Sequence, residues 1–381
     1  MASLPISSPE SQVLSQQLAD LIQQKIENNN GWIDFATFMH MALYTPGLGY
    51  YSGGAKKFGL YGDFVTAPEI SSLFAKTVAL QTAQILASGG DVLELGAGTG
   101  KLAADLLLEL QQLDQLPKQY FILEVSAYLR QVQREILQEK LSAGLLKRVV
   151  WLESLPKNFN GLILGNEVLD AIPVHLIHHT SQGLQERGVG HDGEFIWQDK
   201  PLKAGQLHDE VKVYSLPNDY LTEACPAASA LVSSLTECLE SGAILLIDYG
   251  FSAREYYHPQ RNQGTLMCHY QQLAHDNPLI NIGLQDITAH VNFSNIAMLC
   301  ESHGIRLAGY ANQAQFLINC GILDILAQHS PDSPQFMQLA AAAQKYLSPA
   351  EMGELFKVIA FTKNIELDLI GFKSGDKTHT L

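Results

Sequence analysis

Basic residues are scarce in this sequence. Over 381 residues, 24 lysines and arginines stand against 39 aspartates and glutamates, a formal net charge of −15. Non-specific nucleic-acid binding relies on basic patches that neutralise phosphates, so no nucleic-acid partner is expected. Cysteine is also sparse: Cys225, Cys238, Cys268, Cys300 and Cys320 make an odd count with no CxxC pair. That gives no sign of a disulfide framework and fits reduced, buried thiols in a cytoplasmic protein. No apolar run reaches the ~18 residues of a membrane span. The opening MASLPISSPESQ has no apolar h-region, and the first basic residue is Lys25. Neither a secretory signal nor an arginine-rich transit peptide is expected.

What is present is ordinary for a globular chain, with 46% hydrophobic and 17% charged residues. Ser8-Pro9-Glu10 reads as a cap followed by proline in the first turn of a helix over residues 8–28. A second short helix follows Asp34. Residues 45–71, TPGLGYYSGGAKKFGLYGDFVTAPEIS, are too long and too apolar for a plain linker and read as a structured, functional segment. A long helix is expected from Pro68 to about Ala87. Strand and helix then alternate, with strands at 91–95, 119–125, 147–152 and 161–166, a helix at 100–112, and another capped by Ser126. This rhythm predicts a parallel sheet covered on both faces. It breaks at 174–198, which reads as meander strands with a turn at His191-Asp192-Gly193. A helix near 218–240 and a strand at 243–248 restore it. Residues 249–290 form a second irregular insertion, and 305–311 and 356–363 read as two closing strands around a helical stretch, 313–350.

The stretch LELGAGTGK, residues 93–101, carries the chemistry. A Walker A loop needs G-x-x-x-x-G-K-[ST]. Counted back from Gly100, the first glycine falls on Leu95, and Lys101 is followed by Leu102 rather than a hydroxyl residue. A dinucleotide fingerprint is closer, because Gly98, Gly100 and Ala103 fit G-x-G-x-x-G/A and Glu124 lies near the place of the ribose acid. Against it, the strand ends at Leu95, so Gly96 opens the turn and Lys101 falls where the third glycine belongs. Glu94 also puts an acid where a pyrophosphate would sit. A cation, or a neutral group that donates hydrogen bonds, suits that acid better.

E-x-G-x-G-x-G after a first strand resembles motif I of the class I S-adenosylmethionine-dependent methyltransferases. The wider pattern, with TPGLGYYS, GDFVTAPEIS, ELGAGTGKLAAD, GNEVLDAIPV, IDYG, GTLMCHY, DITAHVNF and EMGELFKVIAF in one order, resembles the MidA family over about residues 20–365. That resemblance implies a Rossmann-like α/β sheet, mostly parallel with an antiparallel last strand, a helical N-terminal extension and substrate-binding insertions. It implies S-adenosyl-L-methionine as cofactor and protein arginine N-methylation as activity. Family members in mitochondria methylate an arginine of a respiratory complex I subunit and carry an import signal. None is seen here, which points to a bacterial cytoplasmic relative and leaves the target open. The implied donor site comprises Glu69, Glu94, Gly96, Ala97, Gly98, Gly100, Glu124, Val125 and Asn166.

Asn166, Glu167 and Asp170 follow the fourth strand, where ligands sit in an open parallel sheet. Two carboxylates can grip a guanidinium and bias its proton loss. The competing reading is helix capping by Asn166 and Asp170 with Glu167 solvated. Asp63, Thr66, Pro68 and Glu69 read either as helix punctuation or as a lid over the cofactor. Asp248 and Tyr249 end a strand on the ligand side, and Asp286 and His290, four apart, are placed to line the substrate pocket, with His290 a candidate base. His178-His179 lacks neighbouring ligands, so no metal is expected. The expected organisation is an N-terminal and lid segment over 1–67, core over 68–172, an insertion over 173–240, a core strand over 241–252, an insertion over 253–289, core over 290–312, a helical insertion over 313–350, a closing strand over 351–366 and a flexible tail over 367–381. The partner is then an arginine-containing protein, with a respiratory complex subunit and a homodimer as open options. The alternative is an assembly or chaperone factor for a respiratory-type complex, on the same fold with little turnover.

Overall fold

Asp91–Leu95 holds the centre of the larger sheet because Val92, Leu93 and Leu95 are buried, as strands covered on both faces require. The computed structural model describes residues 4–53, 66–212, 214 and 216–381. Across the sheet the strands run Val149–Leu152, Tyr120–Leu123, Asp91–Leu95, Phe159–Asn166, Leu239–Phe251, Phe356–Lys363 and Arg306–Asn312. Numbered along the chain this is the order 3-2-1-4-5-7-6. The first five pair in parallel, and Phe356–Lys363 runs antiparallel to both its neighbours. The short strand Val291–Asn292 extends the sheet beside Gly250 and Phe251. Strand order reverses between Asp91–Leu95 and Phe159–Asn166, so a crevice opens at the carboxyl ends of these two strands.

The helix Lys101–Gln112 buries Leu102, Ala103, Leu106, Leu107 and Leu110 against the sheet. Ser126 caps Ala127–Lys140 by accepting from the Leu129 N–H at 3.2 Å. These elements form one compact unit, Val65–Val168, Leu231–Ala253 and Val291–Leu381.

A second unit comprises Met1–Phe64, Leu169–Ala230 and Arg254–His290. The helix Pro9–Asn28 buries Leu18, Ile22 and Ile26, and Phe35–Tyr44, capped by Asp34, buries Phe35, Phe38 and Met39. They share a core with Val174 and with Leu176 and Val189 of an antiparallel sheet built from Ile33–Asp34, His175–Thr180, Gly183–His191, Phe195–Pro201 and Tyr220–Ala224. Met267–Tyr270, Leu273–His275 and Asp286–Thr288 form a separate three-stranded sheet.

Several expectations are corrected. The helix from Pro68 is two helices, Ala67–Ile70 and Ser72–Ile85, because Ser71 is extended and its hydroxyl caps the second. The helix near 218–240 begins only at Pro226; Tyr220–Ala224 is a strand, buried except for the half-buried Leu221. The fifth core strand is longer than 241–252 suggested at its start, running Leu239–Phe251. Residues 313–350 are not an appendage: Phe316, Leu317, Ile322 and Tyr346 belong to the core that covers the sheet. Residues 367–381 are not a free tail. Phe372 packs on Phe316 with ring centroids 5.4 Å apart, and the Gly371 N–H donates to Gln81 Oε1 at 2.9 Å.

Candidate active site

At the end of Asp91–Leu95 the chain turns through Gly96, Gly98 and Gly100, with φ of 56°, 53° and 87°. Side-chain-bearing residues rarely hold this left-handed backbone. No atom of the described residues lies within 4 Å of the place a Cβ would take at Gly98. The loop leads directly into the N-terminus of Lys101–Gln112. Ala97 is buried and accepts from the Gly100 N–H at 2.8 Å, closing the turn.

Two carboxylates flank the loop. Glu94 is 2% exposed, and Tyr120 Oη donates to its Oε2 at 2.8 Å. Burial raises its carboxyl to about 7, the tyrosine bond opposing and the charge of Glu124 adding. Glu124 follows the second strand. Its Oε1 accepts from the Ser126 N–H at 2.9 Å and its Oε2 from Gln133 Nε2 at 3.0 Å. Burial raises this carboxyl too, and those hydrogen bonds pull it partly back. Beside it Val125 is 79% exposed, an apolar side chain left bare next to the two carboxylate oxygens.

Lys101 is engaged within the protein. Its Nζ donates to Pro68 O at 2.6 Å and pairs with Asp105 at 2.8 Å, while Asp105 also meets Lys140 at 3.3 Å. Thr99 Oγ1 donates a short bond to Glu69, and Tyr346 Oη donates to Ala67 O at 3.0 Å. The short helix Ala67–Ile70 is therefore bolted to the glycine loop, with Glu69 held by the loop itself. Asp63, the other acid of the lid expectation, lies outside the described residues.

Asn166 ends the fourth strand. Its Nδ2 donates to Glu167 Oε1 at 3.0 Å, and its buried Oδ1 has no hydrogen-bond partner among the described residues. Glu167 has φ of 54°, an uncommon backbone for a glutamate. Its N–H donates to Ile247 O at 2.8 Å, and the Val168 N–H donates to Asp248 Oδ2 at 3.1 Å. Asp248 lies inside Leu239–Phe251 and is 1% exposed. This set fixes the turn after Asn166 as a bent exit rather than a regular helix cap.

In the second unit, Asp170 is buried, and its carbonyl accepts from the Ala289 N–H at 3.0 Å. Asp286 accepts from Tyr51 Oη at 2.7 Å. The His290 N–H donates to Thr265 Oγ1 at 3.0 Å, and its Nδ1 lies 3.3 Å from Thr265 O. Asp34, His175 and Glu186 bring three potential ligand atoms within 4.8 Å of one another. Asp34 already caps the Thr37 N–H and His175 already pairs with Glu186 at 2.7 Å, so the group is accounted for without an ion.

Sequence reading missed Tyr120, Thr99 and Gln133. Gln133 had a signal: it interrupts the buried stripe of Leu129 and Leu137 on one helix face. The others are pairings between segments, which no local pattern reports.

The site's donor set fits S-adenosyl-L-methionine: an acid buried at the strand end, acceptor oxygens after the second strand, a bare glycine turn, and an exposed valine beside them. A sheet of order 3-2-1-4-5-7-6 with this loop at the switch point defines a class I S-adenosylmethionine-dependent methyltransferase. The comparisons agree. A family described as "Putative S-adenosyl-L-methionine-dependent methyltransferase" matches residues 73–311, and the chain belongs to that family. It is 47% identical to a COG1565 superfamily member from Burkholderia thailandensis, described as a "likely methyl transferase" and bound to S-adenosyl-homocysteine, with a TM-score of 0.96 and all of both chains covered. It is 30% identical to the mouse protein arginine methyltransferase NDUFAF7, mitochondrial, over 87% of this chain and 81% of that one. The human protein of the same name is 29% identical, over 87% and 80%. No helix among the described residues is long and apolar enough to cross a membrane.

Proposed function

We propose that this methyltransferase modifies arginine in a protein substrate, and that Asn166, Glu167, Asp170 and His290 serve the acceptor side. The observation that carries the reading is the turn after Asn166. There an acid sits on left-handed backbone next to an amide whose buried oxygen lacks a partner among the described residues. Backbone strain of this kind, roughly 1–3 kcal/mol, persists where surrounding structure enforces it, commonly at functional sites. The names of the mouse and human relatives support arginine as the acceptor.

The donor supplies a methyl already activated by its positively charged sulfur. The chain's part is alignment, water exclusion and charge placement. Glu94, Glu124, Val125, Asn166, Glu69 and the loop from Gly96 through Ala97 and Gly98 to Gly100 hold the donor. Glu167 and Asp170, three residues apart in sequence, hold the guanidinium by charge-assisted hydrogen bonds, and one of the two carboxylates takes the proton that the nitrogen releases as the methyl group is transferred. Asn166 Oδ1 accepts from a guanidinium N–H.

The test is Glu167→Gln and Asp170→Asn, each assayed for methyl transfer and for S-adenosylhomocysteine affinity. Transfer falls at least about tenfold with donor affinity kept, roughly 1.4 kcal/mol of acceptor binding or transition-state stabilisation. Unchanged transfer in both variants sinks the clamp. A second reading, an assembly factor on the same fold, is favoured if donor binding is tight and no protein accepts a methyl.

A further inference from the structure

Gln133 stands on the buried face of Ala127–Lys140, between Leu129 and Leu137, and is fully buried. An unpaired amide there would be costly, and each of its hydrogen-bonding atoms is in use. Its Nε2 donates to Gly98 O and to Glu124 Oε2, each at 3.0 Å, and Trp151 Nε1 donates to its Oε1 at 3.0 Å. The orientation of the amide follows from chemistry alone. An indole nitrogen only donates, so the atom facing Trp151 must be the oxygen. The amino group is then turned to two acceptors, one on the glycine loop and one on the acid after the second strand. Gly100 completes the arrangement, because a Cβ there would lie 3.2 Å from Gln133 Cα. One turn earlier on the same helix, Arg130 Nε donates to the Glu124 carbonyl at 2.6 Å.

We infer that Gln133 is a positioning residue for the methyl donor: it ties the glycine loop to Glu124 and fixes the direction in which that carboxylate meets the ribose hydroxyls. Ser126 takes one direction on Oε1 and Gln133 one on Oε2. The inference rests on the proposed contact between Glu124 and the ribose, and it adds a residue that touches no ligand. Trp151 acts one step further out by forbidding the flipped amide.

The test is calorimetric binding of S-adenosylhomocysteine and of its 2′-deoxy analogue to the full chain, beside steady-state kinetics. Gln133→Met keeps length and apolar packing and loses all three bonds. It lowers S-adenosylhomocysteine affinity about tenfold, as loss of a buried hydrogen-bond network does. It also narrows the preference over the deoxy analogue from about tenfold to under about threefold, because the carboxylate no longer holds its direction. KM for the donor rises, and kcat at saturating donor stays within about threefold. Merely structural damage would weaken both ligands equally. Trp151→Phe, milder for folding, lowers S-adenosylhomocysteine affinity about threefold. A folded Gln133→Met with unchanged affinity and preference overturns the inference. If that variant does not fold, unchanged affinity in Trp151→Phe overturns it. Glu124→Gln separates the two layers. Unchanged affinity there defeats the ribose contact itself, and weakened affinity there with Gln133→Met unaffected defeats the role of Gln133.

Discussion

Tyr120 Oη donates to Glu94 Oε2 at 2.8 Å across neighbouring strands, and both residues are buried. Glu94 lies two residues before Gly96, and its titration has a consequence for stability. Glu94 is raised from 4.5 to about 7 in the folded chain, chiefly by burial. Below the unfolded value both states hold the proton, and the contribution to stability is complete. As pH rises towards about 7 the unfolded chain releases its proton first, and stability falls by on the order of 3 kcal/mol, then levels. Glu94→Gln does not titrate. Its stability relative to the parent therefore improves by about that amount between about pH 5 and about pH 8 in urea unfolding. A difference that stays constant with pH contradicts the raised carboxyl.

Gly98 and Gly100 separate two reasons for glycine. At Gly98 a methyl group meets no atom of the described residues within 4 Å, so Gly98→Ala costs about 1 kcal/mol of backbone strain yet occupies the space where the donor approaches. At Gly100 the methyl group crowds the Gln133 main chain as well, and Gly100→Ala costs about 2–3 kcal/mol. Unfolding and S-adenosylhomocysteine titration on both variants check this. The expected result is the larger stability loss in Gly100→Ala and at least a tenfold, roughly 1.4 kcal/mol, affinity loss in Gly98→Ala. The reverse order of stability loss counts against it.

Glu167 carries strain that glycine would relieve. Glu167→Gly leaves stability unchanged or raises it by up to about 1 kcal/mol, the gain at φ of 54° being offset by the entropy of a freer unfolded chain. Methyl transfer falls at least about tenfold in the same variant. A large stability loss with activity retained would show that the glutamate serves the fold.

Lys101 is a structural lysine. Lys101→Met removes the bond to Pro68 O and one partner of Asp105, which keeps Lys140. The cost is about 1–3 kcal/mol of stability. Donor affinity stays within about threefold, roughly 0.6 kcal/mol. Loss of donor binding out of proportion to stability would return Lys101 to the ligand.

Much of the fold could be read from local pattern. The strands at 91–95 and 356–363 match the structure residue for residue, because Val, Leu and Ile runs between turn residues have no helical competitor. Errors fell where context overrides pattern. Ser71 breaks a run of good helix formers through a cap bond, and Tyr220–Ala224 is a strand because His175–Thr180 pairs with it. The carboxylates and glycines of the donor loop were visible because their spacing is local. Gln133, Tyr120 and the Lys101 anchor were not, since each is defined by a partner far along the chain.

The central claim is tested most directly by incubating the purified chain and radiolabelled S-adenosylmethionine with a lysate from cells lacking it, then identifying the labelled residue by mass spectrometry. The account predicts label on a protein arginine guanidinium nitrogen, lost with Glu167→Gln. Label on lysine, a carboxylate or a small molecule, or no labelled protein despite tight donor binding, would contradict it.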